Sequence, residues 1–266
     1  MSILRPTDTP DTPISHKSRA DPSRRPSGMR FPCQIMGWDE TYTLACELVH
    51  LIKDSGLGFD IVVAIGRGGY VPARVVCDRM LYNDLTSIKI EHYTMGADSY
   101  DEAVVRFPLS TDIQDMRVLV IDDITDTGKT LEQAVEYLAG FRPKSIHTAV
   151  LQHKTCSDFV PDFYAETITE WKWIIYPWAL YEDLVGFILK ILGETVAEGE
   201  VTEPVTTGSV RDALAIGYDI TVGTDELEEM LLEMEKAGLI TGKSTDGIKY
   251  WRRVAEIGGS EETMSG

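Results

Sequence analysis

The chain has 266 residues, 43% of them hydrophobic and 26% charged, the proportions of a globular protein able to bury a real core. Asp and Glu number 43 against 25 Lys and Arg, a net charge of −18. Such a field repels nucleic-acid backbones and anionic membrane surfaces, because phosphate binding rests on Lys and Arg. Cys33, Cys46, Cys77 and Cys156 are scattered, with no CxxC spacing and no His at metal-ligand distance. Disulfides and zinc are therefore not expected, and a reducing, cytoplasmic setting is. No apolar run approaches the roughly 18 residues of a membrane span, and the N-terminus lacks the apolar stretch of a secretion signal.

Residues 1–28 are rich in Pro, Thr, Ser and Arg without apolar period, and are expected to be a disordered extension. Met29, where folded-looking sequence begins, is a candidate alternative start. From Trp38 to Ser55 the spacing predicts a helix, capped by Asp39, with Leu44, Leu48, Leu51 and Ile52 as its buried stripe and Gly56 as its stop. Ile61 to Ile65 is a short apolar run ending in Gly66-Arg67-Gly68-Gly69, and Val118 to Ile121 is another ending in Asp122-Asp123. A helix from Thr130 to Ala139 precedes a third run, Ile146 to Leu151. Buried apolar strands alternating with helices predict an α/β fold with a parallel sheet, whose ligands sit beyond the strands' carboxyl ends. Both polar motifs fall there.

The segment 193–208 is acidic and aperiodic and reads as a linker. Beyond it, a short helix from Ser209, a longer one over 224–237 and a hairpin over 239–253 turning at residues 245–247 predict a small α+β module over 209–256, similar to a winged helix but one helix short. Residues 257–266 read as a disordered tail.

The chemistry concentrates in residues 118–130. Four apolar residues lead to Asp122 and Asp123, then Asp126-Thr127-Gly128-Lys129-Thr130 opens a helix. N–H groups and hydroxyls at a helix start suit a phosphate monoester, and Gly128 permits close approach. A strand–turn–helix with one Asp as cap would explain a single Asp. Three around one turn repel each other unless a ligand or cation compensates. The glycine loop at 66–69 is by itself a weak signal.

Together these stretches resemble the class I phosphoribosyltransferases, over about residues 29–192, and the resemblance implies that family's Rossmann-like parallel sheet. It implies that Asp122 and Asp123 hold the ribose hydroxyls of phosphoribosyl pyrophosphate, that Asp126, Thr127, Gly128, Lys129 and Thr130 hold its 5′-phosphate, and that Asp126 also manages the proton of a purine base. Arg67 and Gly68 would face the leaving pyrophosphate, with a non-proline cis peptide at Gly66–Arg67. Gln152-His153-Lys154-Thr155 and the stretch from Trp173 to Trp178 resemble the xanthine/guanine branch. By that likeness Lys154 donates to the purine O6, Trp173 stacks on the ring and the Ile174 backbone reads its 2-position, while Trp171 and Trp178 pack in the core. One ammonium donor suits an oxo group and opposes the amine of adenine.

Magnesium is the implied cofactor, held through Asp122 and Asp123 indirectly. Ala179 stands where some relatives place an Asp, which leaves Glu182 or Asp183 as substitutes. Residues 94–102, polar and containing Gly96, fit a lid that closes over substrate. The resemblance implies a homodimeric purine-salvage enzyme acting on hypoxanthine, guanine or xanthine. The alternative is a regulator that senses purine or phosphoribosyl pyrophosphate through a C-terminal winged helix. Against it, the longer C-terminal helix carries Asp225, Glu226, Glu228, Glu229, Glu233 and Glu235 with a single Lys236, a poor surface for nucleic acid.

Overall fold

The computed structural model describes residues 31–95, 98–194 and 205–254, with only the backbone described over 91–104 and at 194. The expected extension and tail lie outside these residues, as does most of the expected linker.

The central sheet has six strands, β2 (Ile61–Gly66), β3 (Leu85–Met95), β4 (Asp98–Phe107), β5 (Arg117–Thr125), β6 (Ser145–Lys154) and β7 (Phe163–Ile168), in the order β4-β3-β2-β5-β6-β7. All neighbours pair in parallel except β3 with β4, so the sheet is parallel with one antiparallel edge. Helices α1 (Trp38–Asp54), α2 (Tyr70–Met80) and α3 (Lys129–Ala139) cover it. Side chains alternate across a strand. Val62, Ala64, Leu119 and Ile121 join the core under α1 and α2, while Ile61, Val63, Ile65, Val118 and Val120 join that under α3. Covering both faces is why these strands read as unbroken apolar runs.

Helix α1 begins two residues earlier than an Asp39 cap requires. Gly37 is its N-cap, and its N–H donates to Glu40 Oε2 at 3.4 Å. Its buried stripe is Leu44, Ala45, Leu48, Val49 and Ile52. This stripe is centred toward Ala45 and Ile52, so Leu51 falls at its margin and is 44% exposed. Strand β5 runs through Asp122 and Asp123 to Thr125, past the expected tip at Ile121. Residues 94–102, expected as a lid, lie partly outside the described residues. The backbone on either side continues the β3–β4 hairpin, with Thr94 opposite Ser99 and Met95 opposite Asp98.

Two short strands, β1 (Cys33–Ile35) and β8 (Trp173–Ile175), pair in parallel beside the main sheet, and helix α4 (Leu180–Glu194) follows. The C-terminal elements are β9 (Val205–Thr206), α5 (Thr207–Tyr218), α6 (Thr224–Lys236), β10 (Ile240–Thr245) and β11 (Ile248–Arg253). The hairpin turns at Asp246 and Gly247, both at positive φ, as a two-residue turn between twisted strands requires. Strand β9, which no periodicity in the sequence marks, completes a three-stranded sheet on β11.

A third core unites these elements with the first part of the chain. Cys33, Ile175, Leu184, Phe187, Ile188 and Leu192 pack with Val210, Leu214, Tyr218, Leu227, Leu231 and Trp251. Helix α4 thus serves both halves. Ile188 is fully buried in that core, and Ile188→Ala should cost roughly 2–5 kcal/mol. In urea titration both halves should unfold in one lowered transition; two separate transitions would mean that α4 does not couple them.

Candidate active site

Strand order reverses between β2 and β5, since β2 is followed outward by β3 and β5 by β6. Ligands in such sheets lie in the crevice at the carboxyl ends where the order reverses. The loop after β2, residues 66–69, and the turn after β5, residues 126–128, both open there. The Gly66–Arg67 peptide is cis, as expected. A Cβ on Gly68 would stand 2.6 Å from Asp123 Oδ1, so only glycine lets the loop lie against that carboxylate. Gly128, at φ +88, is the N-cap of α3, and a Cβ there would stand 2.5 Å from that of Phe159. The first turn of α3, from Lys129 and Thr130, points its N–H groups toward the crevice end of the helix, where the helix dipole favours an anion, and the Lys129 N–H lies 3.5 Å from Thr127 Oγ1.

Asp122 is 8% exposed, and its Oδ1 accepts the Asp123 N–H at 3.0 Å. Burial, then the neighbouring Asp123 charge, pushes its carboxyl well above the usual range. Burial also pushes Asp123 up to about 6, with the nearby Asp183 adding to the rise and hydrogen bonding from Ile124 and Trp178 opposing it. Beneath the pair, the buried Tyr176 hydroxyl donates to Gln152 Oε1 at 2.7 Å and lies 3.2 Å from the Asp123 carbonyl oxygen. Gln152 in turn donates to Glu166 at 2.5 Å. This layer pins the backbone of Asp123 from below.

The third acid faces the end of β6. Lys154, its side chain 3% exposed, pairs with Asp126 Oδ1 at 3.1 Å, and the Trp171 indole N–H donates to the same oxygen at 3.2 Å. The Lys154 ammonium stands 4.8 Å from the centre of the Trp171 ring. Trp171, expected as core packing, is therefore the aromatic beside the acid and the lysine. It lies in the loop before β8, where the chain returns across the strand ends. Trp173 turns its ring toward Phe31, 6.3 Å away, and the C-terminal core. The Ile174 side chain is buried under α1. Trp178 does pack as expected, stacked on Tyr176 at 4.9 Å.

At the other end, the Arg67 guanidinium grips both carboxylate oxygens of Glu182, one of them at 2.6 Å, and both side chains are largely exposed. No cluster of three or more metal-ligating side chains occurs among the described residues. Two carboxylates held close and raised chiefly by burial still fit a divalent ion whose remaining ligands are water or substrate oxygens.

The structure thus brings Arg67, Gly68, Asp122, Asp123, residues 126–130 and Lys154 to one crevice, with the Trp171 ring beside Asp126 and Lys154 and the Trp173 ring against Phe31. Tyr176, Gln152 and Trp171 are contributors that the sequence does not single out. Trp171 and Trp173 are two residues apart, and only the path of the loop decides which ring reaches the acid.

A carboxyl raised in the fold stabilises it while neutral. That contribution is complete below the unfolded value near 3.8 and is lost as pH rises through about 6. Asp123→Asn should therefore raise Tm at pH 7.5, by about 2–4 °C for each kcal/mol relieved, and leave it nearly unchanged at pH 4. Equal shifts at both pH values would remove the crowded-charge account.

Comparison with known proteins agrees with this geometry. The phosphoribosyl transferase domain family matches residues 44–183, more than half the chain, and ends within α4. A xanthine-guanine phosphoribosyltransferase of Ruegeria sp. (strain TM1040) is 31% identical over 170 residues, covering 60% of this chain and 92% of that protein. That of Cereibacter sphaeroides (strain ATCC 17025 / ATH 2.4.3) is 28% identical over 148 residues, covering 54% and 84%. A Neisseria gonorrhoeae protein solved with bound ppGpp shares the fold at 23% identity, with TM-score 0.50 over 56% of this chain and 89% of that one. The chain belongs to the class I phosphoribosyltransferase family, in its xanthine-guanine branch.

Proposed function

We propose that this pentosyltransferase joins a 6-oxopurine to the ribose of phosphoribosyl pyrophosphate, releasing pyrophosphate and a nucleoside 5′-monophosphate. The observation that carries the choice of base is the buried Lys154 ammonium beside Asp126 at the end of β6. A purine with an oxygen at position 6 offers that ammonium an acceptor, and its imidazole ring offers Asp126 a proton. Adenine would present donors to a donor.

In this reading the 5′-phosphate lies on the N–H groups of residues 127–130 and the ribose hydroxyls on Asp122 and Asp123. The bond from the base nitrogen to ribose carbon 1 forms as the bond to pyrophosphate oxygen breaks, and the departing oxygen keeps the electron pair. The proton released from the imidazole ring of the base passes to Asp126. Arg67 leaves Glu182 to meet the negative charge of the pyrophosphate. Magnesium, when bound with the sugar, supplies further positive charge to that group. Asp122 and Asp123 would hold it, directly or through water, with Asp183 alongside.

Four free thiols and the lack, among the described residues, of a helix long and apolar enough to cross a membrane suit a cytoplasmic enzyme. We carry over the homodimer that the family likeness implies, to be checked by light scattering. The regulator reading gains no support from α6. It buries Leu227, Met230, Leu231 and Met234 and leaves Asp225, Glu226, Glu228 and Glu229 exposed, while Glu233 accepts from the Tyr181 hydroxyl and Glu235 pairs with Lys249.

Pyrophosphate release should follow with guanine, xanthine or hypoxanthine and not with adenine or orotate; turnover of adenine alone, or of none of the five, would overturn the assignment. Asp126→Asn should lower kcat by about 10²–10⁴, the usual worth of a positioned general base. Glu182→Gln, which frees Arg67 from an exposed ion pair of small worth, should lower KM for the sugar substrate by about two- to fivefold. An unchanged KM would mean that Glu182 does not compete for Arg67.

A further inference from the structure

Asp126 must keep its orientation when Lys154 turns from it to the base, and the Lys154 side chain is a flexible tether. The second donor on the same oxygen is rigid. Trp171 Nε1 reaches Asp126 Oδ1 at 3.2 Å, leaving the carboxylate's other oxygen for the base. The Trp171 ring is itself held. It meets Phe31 edge to face at 5.5 Å, and Phe31 meets Tyr218 of α5 at 5.4 Å and Phe187 of α4 at 5.8 Å, again edge to face. Phe187 and Tyr218 stack at 4.5 Å. Phe31 is fixed from the other side by the short strand it precedes, since the Trp173 N–H donates to the Pro32 carbonyl at 2.9 Å. An unbroken series of packed rings therefore joins the C-terminal module to the acid.

We propose that Trp171 positions Asp126 for proton transfer, and that the C-terminal module braces Trp171 through Tyr218 and Phe31. This rests on the 6-oxopurine reading above and gives the module a task within the same reaction. Each ring contact is of the edge or stacked kind that aromatic pairs favour. None of the four rings need touch substrate for the brace to act. The indole N–H supplies direction, and the rings behind it supply stiffness.

The test is a double-mutant cycle in the full chain, with guanine and the magnesium complex of phosphoribosyl pyrophosphate. Trp171→Phe keeps a ring and loses the N–H. It should lower kcat about tenfold, in line with one hydrogen bond to a charged group, while KM for the sugar substrate stays within about twofold. Tyr218→Leu should lower kcat in the same sense by about threefold, and Tyr218→Phe should restore it. The double variant Trp171→Phe/Tyr218→Leu should be no slower than Trp171→Phe alone, as residues acting through one another are not additive. Thermal melts confirm that each variant is folded at the assay temperature; if Tyr218→Leu is not, Phe31→Leu takes its place in the cycle. A Trp171→Phe enzyme with wild-type kcat would overturn the positioning role, and additive losses would overturn the brace. A wild-type protein inactive on every 6-oxopurine would instead defeat the reading of the reaction itself.

Discussion

Two carboxylates pressed together at the carboxyl end of the central strand are the constraint around which this molecule is arranged. Asp122 and Asp123 extend β5 beyond its apolar run, and both are raised by burial, with like charge beside them. Placing them there opposes folding. The strand under them has the opposite character, since Val118 to Ile121 are all fully buried between helices on both faces. Apolar burial at about 25 cal/mol per Å² anchors a strand whose tip is electrostatically unfavourable by itself. The Tyr176–Gln152–Glu166 layer serves the same end by fixing the backbone from beneath.

Around that tip the site divides into three differently charged regions. The start of α3 presents the positive end of the helix dipole, which favours an anion. The loop after β2 presents Arg67, held meanwhile by Glu182. The end of β6 presents a buried cation against a half-buried acid. A buried ion pair of this kind adds little net stability, because desolvation offsets attraction, yet it fixes geometry. Its value here is that it holds the two side chains against each other at 3.1 Å.

The C-terminal elements do not hang from the enzyme as a separate body. Their apolar residues complete a core whose other half comes from α4, β8 and β1. The acidic outer side of α6 stays in solvent, where its like charges are cheapest to keep. Phe31 and Trp173 lie where that core meets the crevice, so whatever orders the module also orders that wall of the crevice.

The parallel sheet, the two polar loops on its strand ends and the acidic pair were legible in the order of residues alone. Runs such as Ile61–Ile65 and Val118–Ile121 can be buried on both faces only in a covered parallel sheet, and a cluster of three acids in five residues demands a ligand. The α6 helix and the final hairpin were legible too, from helical period and an Asp-Gly turn. Strand β9 was not, because two residues carry no period and owe their form to pairing with Tyr250 and Trp251. Nor was the cap of α1, since Gly37 and Asp39 compete locally and packing of the Ala45–Ile52 side settles the start.

Local sequence determined which chemical groups the protein would bring to a sugar phosphate, because each strand and the loop at its end are contiguous in the chain. Tertiary structure alone decided how groups distant in sequence meet: that the Trp171 indole reaches Asp126, that Glu182 engages Arg67, and that the elements over 205–253 share a core with α4. Such pairings depend on where whole elements come to rest against one another, and a side chain's reach of a few ångströms cannot be read from spacing along the chain.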